Sequence, residues 1–377
     1  MSEASISLIN SAEFVFGGKR HLKLLGVGKR GREWPIPFSV RPLLLKKNKN
    51  VVVLASGDPF WFGVGGTLSK FLNPSEWHCI PGPSIFSLVA SRLGWRIEDT
   101  VCLGLHNKPI EKLANFAYNG HQIIALCKNQ SSVKKIRDWF ANNGFGNSDI
   151  FILERLGGKS ERVSHAKISQ SISFELSSPV VVAIKVSGKT DLTTTSGLPT
   201  KMFVHDGQIT KKHMRAITMA ELAPKPGELL WDLGAGSGSI SIEWARFSDR
   251  NLVIAFERDI QRLKNMKQNV LKFGLADQIE IIVANLPAIP KKLRIPDAVF
   301  IGGGISEKLL KRIWKLSKPD SRIVVNSVTL EAEQLLLKWK FLKGGSLTRI
   351  NLSSADTIGG KMGWRTSMPI LQWSVKK

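Results

Sequence analysis

Short apolar runs alternate along the chain with segments whose apolar residues recur every three or four positions. In the second half the runs predict five strands separated by helices, at 229–233, 252–257, 279–283, 298–302 and 322–326. A preceding helix is predicted over 211–223, with Thr210 as its N-cap. This βαβαβ order predicts a doubly wound parallel sheet that binds its ligand at the carboxyl ends of the strands.

The first half shows the same alternation, and its most apolar run is Val51–Ala55. A continuous β-branched run of this kind predicts a parallel strand buried on both faces. Other strands are predicted at 123–127, 150–154 and 179–186, and helices from Pro83 and over 131–142. The pattern indicates an α/β fold in this half as well.

A small, polar stretch at 187–197 interrupts this pattern. Such composition is typical of a linker. We therefore expect a first domain over 1–187, a linker over 188–200 and a second domain over 201–377.

A glycine-rich turn, Asp232-Leu233-Gly234-Ala235-Gly236-Ser237-Gly238, directly follows the strand at 229–233 and precedes a segment of helical spacing. This arrangement brings a bare backbone close to a ligand at a helix N-terminus. The next strand ends at Glu257, an acid placed to hold ribose hydroxyls. The sequence therefore predicts a nucleoside-cofactor site.

The spacing Asp-x-Gly-x-Gly-x-Gly differs from the dinucleotide pattern and lacks the Gly-Lys-Ser/Thr of a phosphate loop. It resembles the first motif of class I methyltransferases that use S-adenosylmethionine. That resemblance implies that the turn admits the methionine tail and that Glu257 binds the ribose. A G-x-G-x-x-G match at 26–31 is rejected, because a helical segment precedes it and the proline-containing segment 32–37 cannot open a helix.

Composition indicates a globular protein, with 377 residues, 43% hydrophobic and 22% charged. No apolar run has the length of a membrane span, and the N-terminus does not resemble a signal peptide. The three cysteines are scattered and the histidines stand apart, so we expect reduced thiols, a cytoplasmic location and no metal site.

The net charge of +24 allows three interpretations: nucleic-acid binding, a polyanionic small substrate, or a lysine-rich proteome. Basic residues are spread over the whole chain, and the only dense run is at 46–49. No basic stripe interleaved with aromatic residues is present. Charge alone therefore does not establish a nucleic-acid partner.

Motifs along nearly the whole chain resemble one known family. Gly57-Asp58-Pro59 and Pro81-Gly82-Pro83-Ser84 are similar to the cofactor loops of tetrapyrrole (class III) methyltransferases, and the second half resembles a class I enzyme that methylates and decarboxylates a cobalamin precursor. Fused in this order, the halves resemble the precorrin-6Y C5,15-methyltransferase (decarboxylating) family. Other matching segments lie at 17–21, 32–35, 156–162, 205–211, 300–304 and 328–331.

The resemblance implies a function for each half. The second domain would methylate carbon 15 and remove the carboxyl of the ring-C acetate, and the first would methylate carbon 5. It also implies S-adenosylmethionine as cofactor, a polycarboxylate tetrapyrrole as substrate, homo-oligomers and a role in the corrin pathway. No acid or His/Asp pair identifies the proton carrier for decarboxylation.

The resemblance also implies further site residues. Thr210, Ala284 and Asn285 would contact the cofactor in the second domain, and Gly57, Asp58 and Pro59 in the first. Candidate substrate contacts are Lys211, Arg215, Gly302, Gly303 and Arg365, since arginine and lysine bind carboxylates strongly. For Lys211 and Arg215, a solvated helix face is an equal alternative.

The chain departs from the family pattern at two points. The family's first domain opens with a strand and a Gly-x-Gly loop ahead of segment 17–21, whereas this sequence begins after that point. Either the start codon lies upstream, or the domain lacks a central strand and part of a cofactor loop. A missing inner strand would leave backbone groups unpaired, which puts methylation at carbon 5 in doubt. Asn285 stands where many relatives have an Asp, and an amide can still hydrogen-bond to adenine.

The main alternative is an S-adenosylmethionine-dependent RNA or tRNA methyltransferase, which the basic charge would suit. Enzymes that methylate exocyclic base amines usually carry an Asn/Asp-Pro-Pro-Tyr/Phe tetrad after the fourth strand. Here Phe300-Ile301 runs into Gly302-Gly303-Gly304, which leaves room for a large flat ligand and argues against nucleic acid. A third alternative is that the first domain is a non-catalytic binding module.

Overall fold

The computed structural model describes residues 1–170 and 175–377, which form two compact units. The first unit contains residues 1–107, 120–141 and 145–187. The second contains residues 188–377 together with 108–119 and 142–144. Composition did not predict that these two short segments would belong to the second unit. The limits 1–187, 188–200 and 201–377 therefore stay a prediction.

The first unit combines short helices with two sheets. Its helices are α1 (Glu3–Ser11), α2 (Lys19–Leu25), α3 (Arg41–Leu44), α4 (Gly65–Leu68), α5 (Ile85–Leu93) and α6 (Gln130–Asn142). Its strands are β1 (Phe14–Gly17), β2 (Gly31–Glu33), β3 (Val51–Val53), β4 (Thr100–Gly104), β5 (Gln122–Leu126), β6 (Asp149–Glu154), β7 (Arg162–Lys167) and β8 (Val180–Lys185).

The strands of the first unit form a three-stranded parallel sheet, β2-β1-β3, and a five-stranded mixed sheet, β4-β5-β8-β6-β7. The prediction that Val51–Ala55 is buried on both faces is wrong, because β3 lies at the edge of its sheet and its valines are half-buried. Helix α5 begins after Ser84, whose hydroxyl accepts a hydrogen bond from the Ser87 backbone N–H at 3.0 Å.

The second unit contains the predicted five-strand pattern. Its helices are α7 (Lys212–Leu222), α8 (Ser239–Phe247), α9 (Ile260–Lys272), α10 (Glu307–Leu316) and α11 (Leu330–Lys343). Its strands are β9 (Leu229–Leu233), β10 (Leu252–Glu257), β11 (Ile279–Val283), β12 (Ala298–Ile301), β13 (Arg322–Ser327), β14 (Ser346–Ile350), β15 (Ser353–Ile358), β16 (Lys361–Thr366) and β17 (Ile370–Lys376).

A seven-stranded sheet, in the order β11-β10-β9-β12-β13-β17-β14, organises the second unit. Strands β9 to β13 are parallel, as predicted. Strands β10 and β11 follow on one side of β9, whereas β12 and β13 lie on its other side, so the strand order switches between β9 and β12. Such a switch point opens a crevice at the carboxyl ends of the strands. The last two strands in the sheet, β17 and β14, are antiparallel and were not predicted.

The two faces of this sheet bury separate cores. Along β9, Leu230 packs into the core shared with α8 and α9, whereas its neighbours Leu229 and Trp231 pack into the core shared with α10 and α11. Successive side chains of a strand point to opposite faces of the sheet, and helices cover both faces. Both sets of side chains are therefore apolar, and the strands appear in the sequence as continuous apolar runs. The α/β fold class, Rossmann-like in the second unit, is confirmed.

Thr210 does not cap α7. The N-cap residue is Lys211, whose side chain makes no capping hydrogen bond. The helix therefore begins one residue later than predicted, and Thr210 belongs to the segment that leads into it.

Candidate cofactor and substrate site

A cavity of about 800 Å³ lies at the carboxyl ends of β9, β10, β12 and β13 in the second unit. Most of the residues predicted for this site line it. They are Thr210, Lys211, Gly234, Ala235, Gly236, Ser237, Glu257, Ala284, Asn285, Gly302 and Gly303.

The glycine turn forms one wall of the cavity and depends on left-handed backbone conformations. Gly234 and Gly236 have φ angles of 73° and 58°, which side chains rarely tolerate. A Cβ on Gly234 would lie 3.0 Å from the carbonyl oxygen of Gly303, so two backbones approach closely there. A Cβ on Gly236 would meet no atom within 4 Å, and the space above this residue is open to a ligand.

Glu257 joins this turn to the end of β10. One carboxylate oxygen accepts a hydrogen bond from the Gly236 N–H at 2.8 Å. The other accepts from the N–H groups of Arg258 and Asp259, at 2.8 and 2.9 Å. The side chain is buried and also lines the cavity, so its orientation is fixed before any ligand binds.

Asp232 and Gly238 do not line the cavity, which corrects their predicted role as direct cofactor contacts. The Asp232 carboxylate accepts hydrogen bonds from the hydroxyl and N–H of Ser241, at 2.5 and 3.2 Å, and so holds the first turn of α8. Burial raises the pKa of this carboxyl to about 7. A Cβ on Gly238 would lie 2.7 Å from Cγ of Met266, so this glycine allows α8 to pack on α9.

Segment 207–211 forms a second wall of the cavity. Arg262, which also lines the cavity, holds the start of this segment through Asp206, with a distance of 2.8 Å from Nε to Oδ2, and through Gln208. Arg258 lines the same space and donates to Oδ1 of Asn285 at 3.3 Å. These arginines and Lys211 give the cavity positive charge.

Arg215 does not face the cavity, which corrects its prediction as a substrate contact. Its side chain is fully buried and forms an ion pair with Glu243, with Nε 2.7 Å from Oε1. Arg365, which was also predicted to contact the substrate, does not line the cavity. It lies on β16, in an exposed hairpin formed with β15, and its ion-pair partner is Asp356 at 3.4 Å.

Sequence reasoning missed a further wall of the cavity. Asn326, Ser327 and Val328, at the end of β13, line it. A group of apolar and small residues around the hairpin base also lines it: Ile350, Leu352, Ser367, Met368 and Ile370. The rule that ligands bind at the carboxyl ends of parallel strands would have found Asn326. The residues around the hairpin base lie in or near β14 and β17, two strands that were not predicted.

The two loops predicted to bind cofactor in the first unit lie together. The Gly82 N–H donates to the carbonyl oxygen of Gly57 at 3.4 Å, and a Cβ on Gly57 would lie 2.7 Å from the carbonyl oxygen of Pro83. Asp58 shapes its own turn by accepting from the Phe60 N–H at 2.8 Å. Gly57, Asp58 and Pro59 thus remain predicted cofactor contacts.

In the described ranges, 1–170 and 175–377, no group of three or more His, Cys, Asp or Glu side chains could hold a metal ion. Within the same ranges, every helix is too short or too polar to cross a bilayer.

Comparison with known proteins gives a family to each half. Residues 1–171 match the family model of tetrapyrrole (corrin/porphyrin) methylases, and residues 201–377 match that of the precorrin methyltransferase domain. A precorrin-6Y C(5,15)-methyltransferase [decarboxylating] from Sinorhizobium is 38% identical over 379 residues, which cover 98% of this chain and 91% of that protein. The chain belongs to the precorrin-6Y C5,15-methyltransferase (decarboxylating) family.

Another full-length member and a solved domain of this family are also similar to the chain. The protein of that name from Mycobacterium tuberculosis CDC 1551 is 32% identical, over 100% of this chain and 96% of its own length. The solved C-terminal domain of the Rhodobacter capsulatus precorrin-6Y C5,15-methyltransferase is 44% identical, with a TM-score of 0.48, and covers 49% of this chain and 100% of that chain. The full-length relatives and the two family models confirm the resemblance seen in the sequence motifs.

Proposed function

We propose that this member of the family transfers methyl groups from S-adenosylmethionine to carbons 5 and 15 of a precorrin and removes the carboxyl of the ring-C acetate. The observation that carries the proposal is a single cavity in which the glycine turn and Glu257 face the same space as Lys211 and Gly302-Gly303-Gly304. One wall suits a nucleoside cofactor, and the remaining space suits a large carboxylated ring. Cobalamin biosynthesis is the pathway in which such a reaction belongs.

The residues present fit S-adenosylmethionine. The open space above Gly236 would admit the methionine tail, and Glu257, which lines the same cavity, would bind the ribose hydroxyls. The buried hydroxyl of Ser237 lines the cavity and has no hydrogen-bond partner within the described part of the chain. A ligand carboxylate or ammonium would satisfy this hydroxyl. Ala284 and Asn285 would contact the adenine.

Lys211 supports the substrate assignment. It lines the cavity beside the start of α7, where an ammonium group attracts the acetates and propionates of a precorrin. Gly302 and Gly303 leave the adjoining wall without side chains, which suits the close approach of a flat macrocycle. The family membership favours this substrate over RNA, although the net charge of +24 alone would suit either.

The residues of the chain mainly align the reactants, whereas the cofactor and the conjugated ring supply most of the chemistry. When bound, S-adenosylmethionine supplies an activated methyl group that carries its own leaving group. The walls of the cavity would hold a ring carbon in line with that methyl group and exclude water. In the decarboxylation, the bond to the carboxyl carbon breaks, its electron pair moves into the conjugated ring, and carbon dioxide leaves. The ring then takes up a proton, and the residue that delivers it stays unassigned.

The first unit would methylate carbon 5 at the paired loops 57–59 and 81–84. Their close backbone approach, with Gly57 at a φ of 61°, supports a ligand-binding role for these loops. The three free cysteines agree with a reducing, cytoplasmic location, and the family implies that the chain assembles as a homo-oligomer.

Methyl-labelled S-adenosylmethionine and a purified metal-free precorrin-6Y test the proposal. We expect two labelled methyl groups on each macrocycle and one carbon dioxide released for each ring. A parallel reaction with bulk tRNA distinguishes the alternative. Labelled tRNA, with no transfer to the precorrin and no carbon dioxide, would overturn the proposed function.

A further inference from the structure

Arg215 and Glu243 form a buried ion pair behind the wall of the cavity. Their side chains are 0% and 2% exposed, and Nε of Arg215 lies 2.7 Å from Oε1 of Glu243. Two charges are removed from water only at a large cost, so every donor and acceptor of such a pair requires a partner. The partners of this pair indicate what it does.

Apart from the contact between the two side chains, the hydrogen bonds of the pair go to backbone groups. Arg215 donates through one Nη to the carbonyl of Leu198 and through the other to the carbonyl of Thr210. Glu243 accepts from the N–H groups of Gly197 and Leu198, at 2.6 and 3.1 Å. A planar guanidinium can reach three acceptors at once, which a lysine ammonium on a flexible stem cannot reproduce.

Two of these attachments connect the walls of the cavity. Thr210 belongs to segment 207–211, which lines one side. Glu243 lies on α8, the helix that begins directly after the glycine turn, and that turn lines another part of the cavity. The pair therefore fixes the separation between segment 207–211 and the turn, although neither of its side chains touches the cavity.

We propose that Arg215 is a positioning residue that sets segment 207–211, and with it Thr210 and Lys211, at the distance needed to bind cofactor and substrate. The assignment rests on the proposed function insofar as the cavity binds S-adenosylmethionine. The competing explanation is that the pair only stabilises the fold.

The chain contains a matched pair for separating these explanations. Arg322 and Glu228 form a second ion pair in the same unit, each 16% exposed, and Nε of Arg322 donates to the carbonyl of Leu222 at 2.7 Å. Arg322 begins β13 and Glu228 precedes β9, so this pair lies at the amino ends of the strands. No residue of the pair lines the cavity.

The test compares the variants Arg215→Lys and Arg322→Lys in the full chain. Hydrogen exchange reports on the amides of 207–211, and calorimetry reports on S-adenosylmethionine affinity. Arg215→Lys should accelerate exchange across 207–211 by about tenfold and weaken cofactor binding by about tenfold, as expected for one lost charge-assisted hydrogen bond. Arg322→Lys should lower the melting temperature, with no change in the exchange of 207–211 or in cofactor affinity.

Unchanged exchange and affinity in Arg215→Lys, or the same losses in Arg322→Lys, would overturn the positioning role. If Arg215→Lys does not fold, the double variant Arg215→Gln/Glu243→Gln removes both buried charges together, which avoids an unpaired one. The double variant should show the same two losses. Faster exchange at 207–211 in a chain whose wild type binds no S-adenosylmethionine would support the positioning of this segment by Arg215 and refute the proposed function instead.

Discussion

The carboxylate of Glu257 accepts a hydrogen bond from the backbone N–H of Gly236 at a distance of 2.8 Å. A single buried side chain at the end of β10 thereby fixes the turn after β9. In the proposed function this turn would admit the methionine tail and Glu257 would bind the ribose, so these two parts of the cofactor would meet groups that are already aligned. Preorganisation of this kind lowers the ordering cost of binding.

Replacing Glu257 with alanine should weaken S-adenosylmethionine binding by about 100-fold, since both the ribose contact and the support for Gly236 are lost. Isothermal titration calorimetry measures the change. Glu280 is a suitable control because it lies exposed on β11, and Glu280→Ala should bind normally. Equal affinity in the two variants would mean that Glu257 does not contact the cofactor.

Gly236→Val should abolish cofactor binding, because the new side chain would occupy the open space above this residue. The substitution also strains a backbone with a φ of 58°, at a cost of about 1–2 kcal/mol. Gly227→Val controls for strain, since Gly227 has a φ of 88°, has free space around it and precedes β9 at the far end of the sheet. Comparable binding losses in both variants would contradict a direct role for Gly236.

Local pattern was sufficient to predict the central part of the second unit. Strands β9 to β13 each carry a continuous apolar run, because helices cover both faces of a parallel sheet. Strand β14 escaped prediction, since a largely exposed strand at the edge of a sheet carries a weaker apolar pattern. Strand β17, which lies between β13 and β14, was not predicted either. In β14, three of the five residues are exposed. Burial of β3 was overestimated because a sequence run does not reveal an edge position.

The site was predictable where backbone conformation dictates the residue type. Gly234, Gly236 and Glu257 were found this way, because a left-handed turn and a strand-end acid leave recognisable spacing. Arg215 was not predictable, since a basic residue at the start of a helix suits a solvated face and a buried ion pair equally well. Only the tertiary position of Glu243 distinguishes the two.

Asp232 should make the second unit less stable as pH rises. Burial raises its pKa to about 7 in the folded state, against about 3.9 when unfolded, so the folded state retains a proton that the unfolded state releases. The stabilisation that this bound proton adds to the free energy of unfolding is complete below pH 4 and is lost as pH rises through 7. Its upper limit is about 4 kcal/mol.

The variant Asp232→Asn isolates this effect, because its amide stays neutral throughout. Urea unfolding of both proteins at pH 5, 6, 7 and 8 gives the difference in the free energy of unfolding. Wild type should lose stability relative to the variant with each step up to pH 7. A difference that stays constant with pH would show that Asp232 is ionised in the folded protein.

Lys211→Met should raise KM for the precorrin by about tenfold, through loss of one charge-assisted contact to a carboxylate, and should leave S-adenosylmethionine affinity unchanged. Lys212→Met is the matched control, since Lys212 is the exposed first residue of α7 and does not line the cavity. Steady-state kinetics of carbon dioxide release provide the readout. An unchanged KM in Lys211→Met would place the substrate carboxylates elsewhere.

The most direct test is a crystal structure of the full chain with S-adenosylhomocysteine. The structure should show the ribose hydroxyls within hydrogen-bonding distance of Glu257 and the amino-acid tail against the backbone of 234–237. A ligand bound outside the cavity, or a ribose that does not contact Glu257, would contradict the account.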